Sequence, residues 1–129
     1  MDGVVTQLRA ARKTGHWIWF VFPQLAGLGR SSTSRSYAIR SLEEARAYLE
    51  HAVLGPRLRT CVDTLVATPA GISATAIFEE LDARKVHSSM TLFQRASPGE
   101  PRFGRVIERF YDGEPDAATD ELLGGEPGT

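Results

Sequence analysis

Ser41-Leu42-Glu43-Glu44-Ala45-Arg46-Ala47-Tyr48-Leu49 is the stretch on which the reading of the fold turns. A serine followed three residues later by a glutamate is a capping box: the hydroxyl takes an orphan N–H of the first turn while the carboxylate reaches back to the cap. Leu42, Ala45 and Leu49 then recur at helical spacing, so an amphipathic helix starts directly after Ser41. Downstream the pattern repeats. Leu54, Leu58, Cys61 and Leu65 make a second stripe, with Pro56 in the first turn, where its missing N–H is no loss. Cys61 on that stripe reads as a small buried hydrophobe. Thr68-Pro69-Ala70-Gly71 breaks the chain. Ser73 caps a short helix through Phe78, and a longer one runs from Asp82 to Arg95 with Val86, Met90 and Phe93 inward. Phe103, Val106, Ile107 and Phe110 mark another helix, with Pro101 near its first position, and Asp116 caps a last short one ending at Leu123.

Upstream, Val4, Val5, Leu8 and Ala11 carry the helical period, with Arg9, Arg12 and Lys13 towards its end, where cations complement the helix dipole. The run from His16 to Gln24 is apolar and aromatic but too short for its period to separate a buried strand from a helix. Gln24 to Ser36, rich in glycine and serine, reads as a loop. The class is therefore all-α: a single domain of about six to eight helices over residues 1–123, followed by a frayed tail at 124–129.

Composition narrows the possible roles. The chain has 129 residues, 42% hydrophobic and 24% charged, which excludes collagen-like and wholly disordered classes. A lone cysteine forms no internal disulfide, and the run from Trp17 to Pro23 is far below the ~20 residues of a membrane-spanning helix, so the expected compartment is the cytoplasm. Net charge is −1, against general nucleic-acid binding. The charge is uneven, +5 over residues 1–60 and −6 over 61–129, which reads first as two halves that pair charges on folding and second as an anion site on the first half. His16, His51 and His87 are widely separated and Cys61 stands alone, so neither a metal nor another cofactor is expected. Gly27-Leu28-Gly29-Arg30-Ser31-Ser32 lacks the lysine ending of a Walker loop and reads as a surface loop.

Two segments combine bulk with polar groups. In the first, Trp17 and Trp19 bring N–H groups that need partners if buried, bracketed by His16 and Gln24. In the second, Lys85, Ser88 and Ser89 are three and four residues apart and can line one helical face, while Asp82 and Lys85 are spaced for an ion pair. Serine and threonine are costly in a helix that only packs, unless their hydroxyls return to the preceding turn's carbonyls.

The motif His16-Trp17-x-Trp19-Phe20-Val21-Phe22-Pro23-Gln24-Leu25 with Gly27-Leu28-Gly29, then Tyr37-Ala38-Ile39-x-Ser41-Leu42-x-Glu44-Ala45-x-Ala47-Tyr48-Leu49, Leu54-Gly55-Pro56-Arg57-Leu58 and Ser88-Ser89-Met90-Thr91-Leu92-Phe93, resembles the bacterial family called domain of unknown function 1810. The resemblance spans about Leu8 to Leu123 and implies an all-α fold with no established activity. The name calpastatin, carried by many members, denotes a disordered inhibitor and does not suit apolar stripes of this kind. Members also carry a helical segment ahead of the one containing Leu8. Its absence here would leave an apolar patch, and a monomer or weak homodimer is expected.

Two functions follow as expectations. The first is a small anionic or nucleotide-like ligand bound between the His16–Gln24 segment and the Lys85–Thr91 helix: Trp19 stacks, His16 and Gln24 fix polar groups, Arg30 and Ser31 meet the anion, and Lys85, Ser88 and Ser89 face them. His16 is the one evident near-neutral acid or base, and no nucleophile stands out. The second is a non-catalytic protein-interaction or accessory domain in which the same residues are structural. Burial separates the two: buried hydroxyls with local partners indicate packing.

Overall fold

A computed structural model describes residues 7–8, 22–25, 38–69 and 71–123. Five helices lie within them: α1, Leu42–Glu50; α2, Leu54–Val66; α3, Ala74–Ala96; α4, Pro101–Tyr111; and α5, Ala117–Leu123. Gln7 and Leu8 are also helical, so the count approaches the expected range. No strand is present among the described residues; Leu25 and Ile39 make an isolated parallel bridge, with the Ile39 N–H donating to the Gln24 carbonyl at 2.8 Å. The all-α class holds.

Local signals mark the helix starts, although the cap residues of α2 and α4, Val53 and Glu100, make no capping bond with their own side chains. The Ser41 hydroxyl accepts the Glu44 N–H at 3.1 Å, whereas the Glu44 carboxylate returns to the N–H of Arg40 at 3.3 Å, one residue earlier than the standard box. His51 closes α1 and opens α2: its ring Nδ1 accepts the N–H groups of Val53 and Leu54 at 3.1 and 3.2 Å. Ser73 accepts the Ala76 N–H, and Pro101 is the first residue of α4. Within α3 the helical path breaks at Glu79, with φ 64° and ψ 169°. That conformation belongs almost exclusively to glycine. It separates a short helix ending at Phe78 from the long one that follows, the division expected from Ser73 and Asp82.

The interior is assembled around α3. Phe93 is fully buried, with the rings of Tyr48 on α1 and Phe103 on α4 at 5.4 and 5.7 Å. Phe22 meets Phe78 edge-on at 6.3 Å, which sets the 22–25 segment against the start of α3. Leu58, Cys61, Val62 and Leu65 form the buried side of α2. Burial pushes the Cys61 thiol up to about 11, so it sits in the core as an uncharged, unreactive group.

One charged cluster ties α2 to the turn before α4. Arg59 grips Glu100 with two bonds, Nε to Oε2 at 2.8 Å and Nη2 to Oε1 at 3.1 Å, and reaches the Leu49 carbonyl with Nη1. Arg102 joins Glu100 to Asp63 at 2.9 and 2.8 Å. The Arg59 hydrogen bonds hold the Glu100 carboxyl below the usual carboxylate range. A carboxyl so lowered contributes stability above its unfolded value of about 4.3 and loses it as pH falls through the folded value. Urea midpoints measured from pH 6 to pH 3 are expected to fall less steeply in Glu100→Gln than in the parent chain. An equal slope would show that the cluster carries no pH-linked stability.

Candidate functional site

The polar residues of α3 divide between two sides of the helix. On the first side lie His87, Ser88, Thr91 and Arg95, and each meets the chain between α4 and the end of α5. The His87 ring stacks on Tyr111 at 4.0 Å, with Nε2 2.6 Å from the Glu114 carbonyl. Ser88 shares its proton between the Arg84 carbonyl at 3.0 Å and Asp116 Oδ2 at 3.2 Å. Thr91 donates to the His87 carbonyl and accepts the Asp116 N–H at 2.8 Å. Asp116 also takes the N–H and hydroxyl of Thr119, which makes it the cap of α5, and Arg95 holds Asp120 through Nε and Nη2 at 3.0 and 2.9 Å. Tyr111 donates its hydroxyl to the Ala83 carbonyl, and burial raises its phenol pKa. These buried hydroxyls are satisfied within the protein, as buried polar groups must be.

The second side carries Asp82, Lys85 and Ser89. Lys85 Nζ lies 3.8 Å from Asp82 Oδ1, beyond hydrogen-bond reach, and each side chain is only 21% exposed. One turn further on, Ser89 is wholly buried, and among the described residues its Oγ has no hydrogen-bond partner, not even the carbonyl one turn back that Ser88 and Thr91 use. An orphaned buried hydroxyl is rare enough to require an explanation.

Of the residues singled out in the sequence, Lys85 and Ser89 therefore share a face. Ser88 is turned about 100° from Ser89 and is engaged by Asp116. Gln24 is half-buried and bonded through its carbonyl to Ile39, two residues beyond the Phe22 ring that rests on Phe78. His16, Trp19, Arg30 and Ser31 lie outside the described residues. The parts played by His87, Arg95 and Asp120 went unread, although 87, 91 and 95 recur every fourth residue and mark a continuous polar stripe.

A cavity of about 420 Å³ runs along α2, lined among others by Leu8, Thr60, Asp63 and Thr64; of the expected ligand contacts that lie among the described residues, Gln24, Lys85, Ser88 and Ser89, none borders it. Its threonine hydroxyls donate to carbonyls one turn back, and Asp63 is held by Arg102. Among the described residues no group of three His, Cys, Asp or Glu is placed to hold a metal ion, and no helix is long and apolar enough to cross a membrane.

Comparison with known proteins adds kinship. The conserved hypothetical protein Rv1873 from Mycobacterium tuberculosis, known from a crystal structure, is 48% identical and superposes with a TM-score of 0.92, over 95% of this chain and 87% of that one. No curated protein matches. A family model described as protein of unknown function (DUF1810) matches residues 1–123, and with the helical fold and the Rv1873 likeness beside it the chain belongs to that family.

Proposed function

We propose that the chain binds a small ligand with an anionic group, phosphate-bearing or nucleotide-like, on the Asp82, Lys85 and Ser89 side of α3, with the His16–Gln24 segment as the facing wall. The observation that carries this reading is Ser89: a hydroxyl wholly buried with no partner among the described residues is explained if a ligand atom completes its bond. Lys85 supports it, since a mostly buried ammonium with its carboxylate at 3.8 Å keeps donors for an anion. In this reading Trp19 stacks on the ligand, His16 and Gln24 fix its polar groups, and Arg30 with Ser31 meets its charge; Ser88 stands aside. The setting we assign is the cytoplasm.

A second reading, an accessory domain without a ligand, draws on Ser88 and Thr91, whose hydroxyls serve the attachment of α5. Thermal unfolding with inorganic phosphate, mononucleotides, nicotinamide dinucleotides and sugar phosphates separates the two. A ligand at a hundred times its Kd stabilises by about 2.7 kcal/mol, several degrees for a chain of this size. Lys85→Ala and Ser89→Ala should both abolish the shift. Ser89→Ala should also raise the melting temperature of the free chain, by about 1 kcal/mol of stability, because it removes an unpaired buried hydroxyl. No shift with any probe, from a chain that melts cooperatively, would overturn the ligand reading in favour of the accessory domain.

A further inference from the structure

The cavity of about 420 Å³ along α2 has no residue of α3 among its described lining and is a second place where a ligand fits. The polar groups described around it accept hydrogen bonds. The Thr60 hydroxyl spends its proton on the Pro56 carbonyl at 3.0 Å and that of Thr64 on the Thr60 carbonyl at 2.8 Å, so each oxygen has only lone pairs left for a ligand. Between them Asp63 is exposed, and Arg102 takes its Oδ2 at 2.8 Å while also serving Glu100 at 2.9 Å. The far end of the cavity borders Ala67 and Thr68, where α2 stops. A helix end of this polarity carries partial negative charge and favours cations, yet the last turn of α2 holds no basic residue. Thr68 stands there only 8% exposed, its hydroxyl 3.5 Å from the Thr64 carbonyl, longer than the bonds of Thr60 and Thr64 and at the outer limit for such a contact. A polar group so buried and so loosely held is one that a ligand atom can complete.

We propose that this cavity binds a linear aliphatic diamine. One ammonium meets Asp63 with the Thr60 and Thr64 oxygens, the other meets the end of α2 beside Thr68, and the methylenes between them lie on Leu8 and Ala67. An ammonium only donates, which matches acceptors of this kind. The spacing selects the length. Asp63 and Ala67 are four residues apart, about 6 Å along the helix axis, and an extended chain of four carbons between two nitrogens spans about the same. Residues 61–129 carry −6, which draws dications from solution. The inference is independent of the Lys85 and Ser89 side and stands or falls separately from it.

Isothermal titration calorimetry on the full chain at low ionic strength tests it, with the four-carbon diamine putrescine, the three-carbon diaminopropane and uncharged butanediol as probes. Putrescine is expected to bind at a single site, diaminopropane about fivefold more weakly, and butanediol not at all. Asp63→Asn is expected to weaken putrescine about tenfold, because it removes a charge-assisted bond. Thr64→Val keeps the shape of the side chain and removes an acceptor, so it is expected to weaken putrescine about threefold and to give a reading even where Asp63→Asn disturbs the Arg102 pair. Equal affinity for the two diamines, or putrescine affinity unchanged in both variants, overturns the proposal and leaves only general attraction to an acidic surface. Absence of binding by putrescine overturns it outright.

Discussion

Replacing Gly55 by alanine is expected to cost about 3 kcal/mol and lower the melting temperature by roughly 10 °C. A Cβ at this position would stand 2.1 Å from the Leu49 carbonyl oxygen and 2.9 Å from its carbon, distances no side-chain atom adopts. The obstacle is backbone at the end of α1, so it cannot rotate away. The same carbonyl accepts Arg59 Nη1 at 3.0 Å, and any shift that relieved the clash would pull at the Arg59–Glu100 pair as well. Gly104→Ala is the matched control. Its Cβ would meet the Gln94 amide at 2.8 Å, the mobile end of a flexible side chain, and alanine is the better helix former. Urea denaturation monitored by circular dichroism should show Gly104→Ala close to the parent and Gly55→Ala far below it. Equal midpoints for the two would mean that α1 and α2 do not approach as closely at this point.

Phe93→Ala is expected to cost about 3–5 kcal/mol, as large-to-small changes of buried aromatic residues do. The ring has no exposed surface and touches aromatic neighbours on two other helices, so its loss opens a void shared by α1, α3 and α4. Collapse into that void requires three helices to move together. Phe93→Leu keeps most of the volume and is expected to cost about 1 kcal/mol. Denaturant midpoints for the pair measure the difference, and a Phe93→Ala cost no larger than that of Phe93→Leu would contradict the junction.

The helices were legible because their signals are local. Ser41, Ser73 and Asp116 each cap within three residues of themselves, and the stripes of Leu42, Leu58, Val86 and Phe103 follow from period alone. Even the break between Phe78 and the long part of α3 was implied by two start signals close together, although Glu79 itself carries no mark of the conformation it adopts. What could not be read was which side of a helix meets which partner. Ser88, Ser89 and Thr91 read as one polar group; Ser88 and Thr91 return their hydroxyls to carbonyls one turn back and meet Asp116, whereas among the described residues the Ser89 Oγ has no partner. The ion pairs were opaque for a related reason. Arg59 and Glu100 are 41 residues apart, and among many surface charges no local rule selects them. They do join the basic half of the chain to the acidic half, as the uneven charge suggested, while Arg95 with Asp120 and Arg102 with Asp63 pair within the acidic half.

The polar contacts between α3 and α5 also fix alignment. An apolar seam would tolerate one helix sliding along another, since one methyl contact resembles the next. Here a slip of α5 by one turn towards the start of α3 would carry Asp120 from Arg95 to the level of Thr91 and Asp116 from Thr91 to that of His87, leaving the Arg95 guanidinium without its carboxylate and the Thr91 hydroxyl without the Asp116 N–H that it accepts. Every such misalignment exposes a cost that the native one avoids. The short helix thus has a single seat, defined by unequal donors in a set order rather than by how strongly it is held.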